Sequence, residues 1–453
     1  MRPEEIASEA MKAAMAAGAD QAEAYVVRSR SVSAYADDSC VKSVEEKSDL
    51  GVAVRVLVGG RLGQASSSVS SLAHAQACAL AAVQTAKLIP VDKVFKGFAM
   101  PAGGHAQFKA LDPRIASLGV EEAAESLKEI IGAASEPRKV KVPNGVLRAA
   151  DLESVVANTN GLSTRREASM VFVHLTAMTR GASPGEGTEV FFSPYLKELD
   201  AGALGGSLKA KARASAKAKA FKGREKLPVV LPPHELAEML QGSIHFALSA
   251  ENVNRRRSPL VGQMGKQVTA KCLTLSDEPL DRRGMLSSPF DDEGTPTRRK
   301  ALIERGVLKG FLYDLYNAHL SGVEPTGNGL RRSSTDPISN YQMGVGIAPV
   351  CLVVKPGTKR VEDMVREMDR GLLVEKTAAP DVHPITGDFG LEVRCAHLVE
   401  RGEVRSTVKH CLLSGNMFRA LSQVRAVASD CAVSLNLVLP SLLFEDFELI
   451  GSE

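Results

Sequence analysis

Four glycine-centred turns set between strand-like runs constrain this chain more than any other feature. GVAVRVLVGGRLGQAS (51–66) turns at Gly59-Gly60, and Asn160-Gly161 separates VVANT from STRREASMVFVHLTA. ALIERGVLKG (301–310) and HLVERGEVRS (397–406) repeat one local pattern. Turns this short join antiparallel neighbours, because parallel neighbours need a crossover of about a dozen residues or more. At Gly59-Gly60 both residues can take the positive φ of a two-residue turn. Arginine at positive φ is costly, so the other pair predicts type I turns with Gly306 or Gly402 in a G1 bulge. Beyond Gly402 the side chains alternate. Glu403, Arg405, Thr407 and Lys409 point one way and Val404, Ser406 and Val408 the other, as in a half-buried antiparallel strand.

Helical periodicity occupies other segments. Ile6, Ala10, Ala14 and Ala17 share one face over 4–17, and Gly18 suits the position after the helix end. Further helices are predicted over 70–88, 119–135, 206–222 and near 234–250. Glu121 and Glu122 fall in a first turn, where the helix dipole favours acids. Residues 22–36 and 144–179 read as β, 90–113 as a loop and 181–187 as a turn. The chain has 453 residues, and single cores stop growing near ~250–300. The predicted fold class is α+β. An N-terminal α/β domain of helices and hairpins spans 1–222, with a subdivision near 90–118. A mostly antiparallel, β-rich C-terminal domain spans 223–453, with Gly223–Pro233 at the boundary.

Composition excludes several function classes. Hydrophobic residues make up 44%, aromatics only 4%, and there is no Trp, so the cores should be aliphatic. A net charge of +3 on 24% charged residues gives no general case for nucleic-acid or membrane binding. The seven cysteines are scattered without a C-x-x-C pair, which fits free thiols in a reducing cytosol. The first residues lack the apolar stretch of a signal peptide, and no apolar run approaches the ~18 residues of a membrane helix. A cytoplasmic location is expected.

Several motif-like strings lack their mechanism. Asp388-Phe389-Gly390 spells the kinase D-F-G without the Gly-rich loop, strand lysine or catalytic loop that phosphoryl transfer needs. His234-Glu235 would begin a zinc motif, but Glu238 and Met239 stand where a second histidine would be required. Pro232 and Pro233 make it a helix start instead. The basic stretch from Lys209 to Lys226 has no interleaved aromatics for base stacking and reads as a solvated helix face. No P-loop occurs.

Two polar, glycine-punctuated blocks remain: DDEGTPTRRKALIERGVLKGFLYDLYNAHLSGVEPTGNG (291–329) and HPITGDFGLEVRCAHLVERGEVRSTVKHCLLSGN (383–416). Polar loops on a rigid sheet are the usual place for binding and chemistry. An ordered series runs from GVAVRVLVGGRLGQAS through NTNGLSTRRE, VVLPP, RRRSPLVGQMGKQV and the first block. It continues with TGNGLRR, the second block and LLSGNMF. Over nearly the whole chain it resembles the TldD/PmbA family, once described as modulators of DNA gyrase.

The resemblance implies a cytosolic, protease-related dimer enclosing a cavity. One branch carries H-E-x-x-x-H and a later Cys as zinc ligands, with the Glu as base. The other, TldE- or PmbA-like, lacks them and pairs with the first in a metallopeptidase acting on small or unfolded peptides. By register, Gln241 and Gly242 stand at the His-Glu pair and Phe246 at the second His. None of these supplies a zinc ligand or base. His245 is one residue off register, about 100° around a helix.

The expectation is therefore a non-catalytic partner subunit with no metal of its own, zinc being held by a TldD-like subunit. It would form a heterodimer with that subunit, or a homodimer. Asn328, Arg331, Asp388 and Asn416 are the candidate peptide-groove residues, although Asp388 and Asn416 also read as turn-stabilising groups. No catalytic residue is assigned. The competing readings are an autonomous metallopeptidase using His234, Glu238 and His245, and a regulator of nucleic-acid machinery contacting it through 209–226.

Overall fold

The computed structural model describes residues 1–102, 108–181, 183–332, 340–378 and 380–451. The loop read over 90–113 and the turn over 181–187 therefore fall partly outside the described residues.

The N-terminal half is one antiparallel sheet. Its strands are β1 (Gln21–Asp37), β2 (Cys40–Val58), β3 (Arg61–Ser68), β4 (Val140–Asn158), β5 (Ser163–Thr179) and β6 (Glu186–Ser193), in the order β3-β2-β1-β4-β5-β6. Four helices cover one face: α1 (Pro3–Ala16), α2 (Leu72–Leu88), α3 (Val120–Ala134) and α4 (Ala201–Ala216). α1 and α2 bury Ile6, Ala10, Ala79 and Ala82 against Ala24, Val26 and Val54. α3 and α4 bury Leu127, Ile130 and Leu208 against Leu147, Val171 and Leu175. The alanine-rich composition acts here by letting helix and sheet approach closely. A Cβ built on Gly63 would stand 2.2 Å from the Ala82 carbonyl oxygen, so α2 sits where any larger residue in β3 would push it off.

α4 begins and ends before the predicted 206–222. The Asp200 carboxylate accepts from the Ala203 N–H at 2.8 Å and caps an earlier start. After Ala216 the chain pairs as a strand, with Lys219 beside Val408.

The C-terminal half is built on a ring of strands. β7 (Arg224–Leu231), β8 (Arg370–Ala378), β9 (Asp388–Glu400), β10 (Cys411–Asn416) and β11 (Leu442–Ile450) pair in the sequence β8-β7-β11-β10-β9, and β9 returns to β8. Closure leaves these five strands without a free edge. Val229, Leu372, Leu391, Val393, Leu413 and Phe444 are among the residues filling the core with α5 (Pro233–Leu240). The fold is α+β and its sheets are mostly antiparallel, with local parallel pairing between β7 and β8.

Both E-R-G turns depart from the expected bulge. Arg305 and Gly306 have φ of 47° and 80°, and Arg401 and Gly402 have 51° and 75°, while Glu304 pairs with Val307 and Glu400 with Glu403. These are two-residue turns with arginine in the left-handed region. Tertiary hydrogen bonds hold that conformation: the Arg401 N–H donates to Asp369 O at 2.6 Å and the Gly402 N–H to Met368 O at 2.8 Å.

The uncovered face of the N-terminal sheet packs on the C-terminal half. Tyr25, Val27 and Ala53 meet Leu315 and Tyr341, and Leu152 and Met170 meet Met285 and Leu286.

Candidate functional site

The seam between the two halves holds a cavity of about 470 Å³. Phe172, His174 and Phe192 line it from β5 and β6; His234, Glu238 and Gln241 line it from α5 and the turn after it. The spacing of 234, 238 and 241 (i, i+4, i+7) places them on one helical stripe. Lys376 enters from β8 and donates to Glu235 Oε1 at 2.9 Å. The other Glu235 oxygen accepts from the Thr377 N–H at 2.9 Å and the Thr377 hydroxyl at 2.5 Å, which ties α5 to β8.

Burial lowers the pKa of His174 and of His234, the first reinforced by Lys376 and the second by Lys211. Burial raises the Glu238 carboxyl. The cavity thus combines neutral imidazoles, an anchored ammonium and two phenylalanine rings. That lining suits an apolar segment carrying a few polar groups.

Directly after α5 the helix widens into a π turn over Gln241–His245. Such a turn bonds i to i+5 and so brings residues five apart over one another. That is the spacing of the two histidines in H-E-x-x-x-H, and here Gln241 and Phe246 occupy it. The backbone has the shape for a pair of ligands, but the side chains do not. Gln241 offers an amide and Phe246 no donor. A Cβ on Gly242 would already stand 3.3 Å from the Val382 carbonyl oxygen. Zinc does not fit these residues.

His245 is part exposed, yet its Nε2 is buried without a hydrogen-bond partner. Burial, with Arg332 nearby, pulls its pKa down to about 3. His234, Glu238 and His245 form no ligand set. Among the described residues, the His, Cys, Asp and Glu groups with three ligand atoms within 4.8 Å of one another are Glu375, Cys395 and His397.

The four groove candidates separate into two pairs. Asn328 is fully buried: its Nδ2 donates to Asp277 Oδ2 at 2.8 Å and to Ala348 O at 2.9 Å, and its Oδ1 accepts from Lys300 at 3.0 Å. Arg331 is 2% exposed, with its N–H on Asp292 Oδ2 at 2.7 Å and its Nη1 on Met343 O at 2.8 Å. Around Arg331 lies a buried ionic network. Arg55 makes a fork to Glu23, with Nε at 2.8 Å and Nη2 at 2.9 Å, and its Nη1 reaches Glu293 at 2.7 Å. Burial and Glu293 push the Asp291 carboxyl well up. Asp291, Asp292 and Glu293 are therefore interior, and Asn328 is engaged among buried groups; Arg331 is buried too but borders a pocket with Gln64, Ser66 and Gln342, its Nε and Nη2 without a hydrogen-bond partner.

Asp388 and Asn416 are cross-strand neighbours at the surface. Asn416 Nδ2 donates to Asp388 at 2.8 Å, and its Oδ1 accepts from the Arg419 N–H at 3.1 Å, capping a short helix. Four cations of the stretch proposed for nucleic-acid contact are paired with acids: Lys211 with Glu189, Arg213 with Glu136, Arg224 with Glu448 and Lys226 with Asp446.

Sequence reasoning did not find Glu375, Cys395 and His397. The spacing of Cys395 and His397 puts both on one face of a strand, which is a legible signal. Glu375 comes from a different strand whose pairing is irregular. Burial beside Glu375 pushes the Cys395 thiol up to about 12, so it is no thiolate nucleophile as it stands.

The fold is a six-stranded sheet under helices, joined to a closed strand ring with a widened helix at the seam. Sequence models of three domains match in order: PmbA/TldA metallopeptidase domain 1 over residues 22–86, the central domain over 113–220 and the C-terminal domain over 224–451. The chain belongs to the PmbA/TldD family.

An uncharacterized protein of Methanocaldococcus jannaschii is 26% identical over 94% of this chain and 95% of its own length. A protein named metalloprotease TldD homolog, from Haemophilus influenzae, is 24% identical over 92% and 87%. Among solved structures, TldE from Thermococcus kodakarensis aligns with a TM-score of 0.90 at 25% identity, covering 98% of this chain and 100% of that one. A proposed modulator of a DNA gyrase from Thermotoga maritima aligns at 0.88 and 27%, covering 98% and 99%.

Proposed function

We propose that this chain is the non-catalytic, TldE-like partner of a TldD-like zinc peptidase in the cytoplasm, and that it holds small or unfolded peptides in the seam cavity. The observation that carries this reading is the π turn with Gln241 and Gly242 in it and Phe246 directly after it, a ligand-spaced backbone without ligands. The likeness to TldE supports it, and so does a cavity lined by phenylalanines, neutral imidazoles and Lys376. The chain's own contributions are binding and orientation. Phe172 and Phe192 take apolar side chains, and Lys376 meets a peptide carboxyl or carbonyl.

Co-expression with an H-E-x-x-x-H relative tests the reading. The two chains are expected to co-purify, with peptidase activity appearing only in the mixture and lost when the relative's motif glutamate is changed. A chain that stays homodimeric with that relative present, or that cleaves peptides alone, overturns it.

A further inference from the structure

β8 and β9 do not pair regularly where they face α4. Val374 pairs with Ala396 and Lys376 with Cys395, leaving Glu375 extra; Thr377 then pairs with Val393, leaving Arg394 extra. Each surplus residue is a bulge, a device that redirects side chains and is frequent beside functional sites. Before the bulge, Leu391 and Val393 point into the ring; after it Ala396 does. Cys395 and His397 therefore turn to the outer face, where Glu375 meets them.

The three donor atoms converge. Cys395 Sγ lies 3.3 Å and His397 Nε2 3.2 Å from Glu375 Oε2, and all three ligand atoms lie within 4.8 Å of one another. Those separations suit a shared cation, since ligands placed tetrahedrally at ~2.0–2.3 Å from zinc stand about 3.3–3.8 Å apart. The His397 ring is oriented for it: its other nitrogen, Nδ1, lies 3.3 Å from Thr407 Oγ1, the kind of outer partner that metal-bound histidines use. The His397 and Glu375 side chains are 20% and 19% exposed, so the group is reachable from solvent. Lys211 and Ser215 of α4 stand beside it, Lys211 being engaged by Glu189 at 2.9 Å.

We propose that Glu375, Cys395 and His397 form a binding site for a zinc-class divalent cation, with a fourth position open to water. One nitrogen, one sulfur and one carboxylate oxygen are donors that zinc and cobalt(II) accept and that magnesium and calcium do not favour. Binding releases the thiol proton to solvent and exchanges the two hydrogen bonds on Glu375 for metal–ligand bonds. The site lies outside the α5 helix and its π turn, so it does not depend on the peptidase-partner reading.

The test is cobalt(II) titration of the metal-stripped 453-residue chain, followed by absorption, with zinc competition. One equivalent should bind with a thiolate-to-cobalt charge-transfer band. Cys395→Ser should abolish that band, and His397→Ala should weaken binding at least 100-fold. Thr407→Val keeps all three ligands and should weaken binding by roughly 10–100-fold, which guards against misfolding in the ligand variants. Cys431→Ser should change nothing. Absence of stoichiometric binding, a band that survives Cys395→Ser, or one lost in Cys431→Ser would overturn the proposal.

Discussion

At one end of the seam Arg55 bridges Glu23 and Glu293 with all three side chains buried; at the other, Phe172 and His174 face His234 across an open cavity. Both ends use the same face of the same sheet. They differ in what the C-terminal half brings to it. Opposite Arg55 it brings carboxylates whose oxygens are already engaged, as Glu293 is by the Leu315 N–H at 2.8 Å. Opposite His174 it brings the stripe of α5, with Glu235 held by both Thr377 and Lys376, and Lys376 at the edge of the space.

The largest effect should come from breaking the charged end. Arg55→Ala leaves two buried carboxylates without their cation and should cost about 3–5 kcal/mol in denaturant unfolding. A loss below about 1 kcal/mol would mean the network does not hold the halves together. An intermediate effect should appear with acid. His245 binds a proton readily when unfolded, near its ordinary pKa of 6.5, but in the folded chain only near about 3. The unfolded state therefore takes up more protons between those values, and stability should fall as pH drops through that window, by up to about 1.4 kcal/mol per pH unit. His245→Asn should flatten the slope below pH 6.5 and leave the curve above pH 7 parallel to the parent's.

The smallest effect on stability should come from the open end. His174→Ala removes a side chain that already borders empty space, so unfolding should shift by no more than about 1 kcal/mol. Peptide affinity, measured by fluorescence anisotropy with a labelled peptide, should fall about tenfold. Equal losses of stability and binding would show that the cavity is packing and not a site.

How much of this was legible in the sequence follows from the range of the interactions. Gly59-Gly60 and Asn160-Gly161 mark their hairpins because turn chemistry is local. α1, α2 and α3 follow from apolar spacing within a single segment. The left-handed Arg305 and Arg401 were missed because hydrogen bonds from elsewhere in the chain hold them there, as at Met368 and Asp369. The polar block at 291–329 looked like a binding loop because sequence does not tell a buried carboxylate from an exposed one. Glu293 becomes structural only when Arg55 arrives from 238 residues away. Register with the family motif set Gln241, Gly242 and Phe246 on a helix, but the π turn there has no simple residue signature.

The surplus residue in β9 also bears on how this chain can vary. A strand normally keeps one set of side chains inside along its whole length. This one changes sides at Arg394, so a single strand carries two reading frames of inside and outside. Deleting Arg394 would merge them, forcing either Cys395 and His397 into the apolar ring or Leu391 and Val393 out of it. The strand can absorb many exchanges of one residue for another, whereas a change of one in its length would turn half of it inside out.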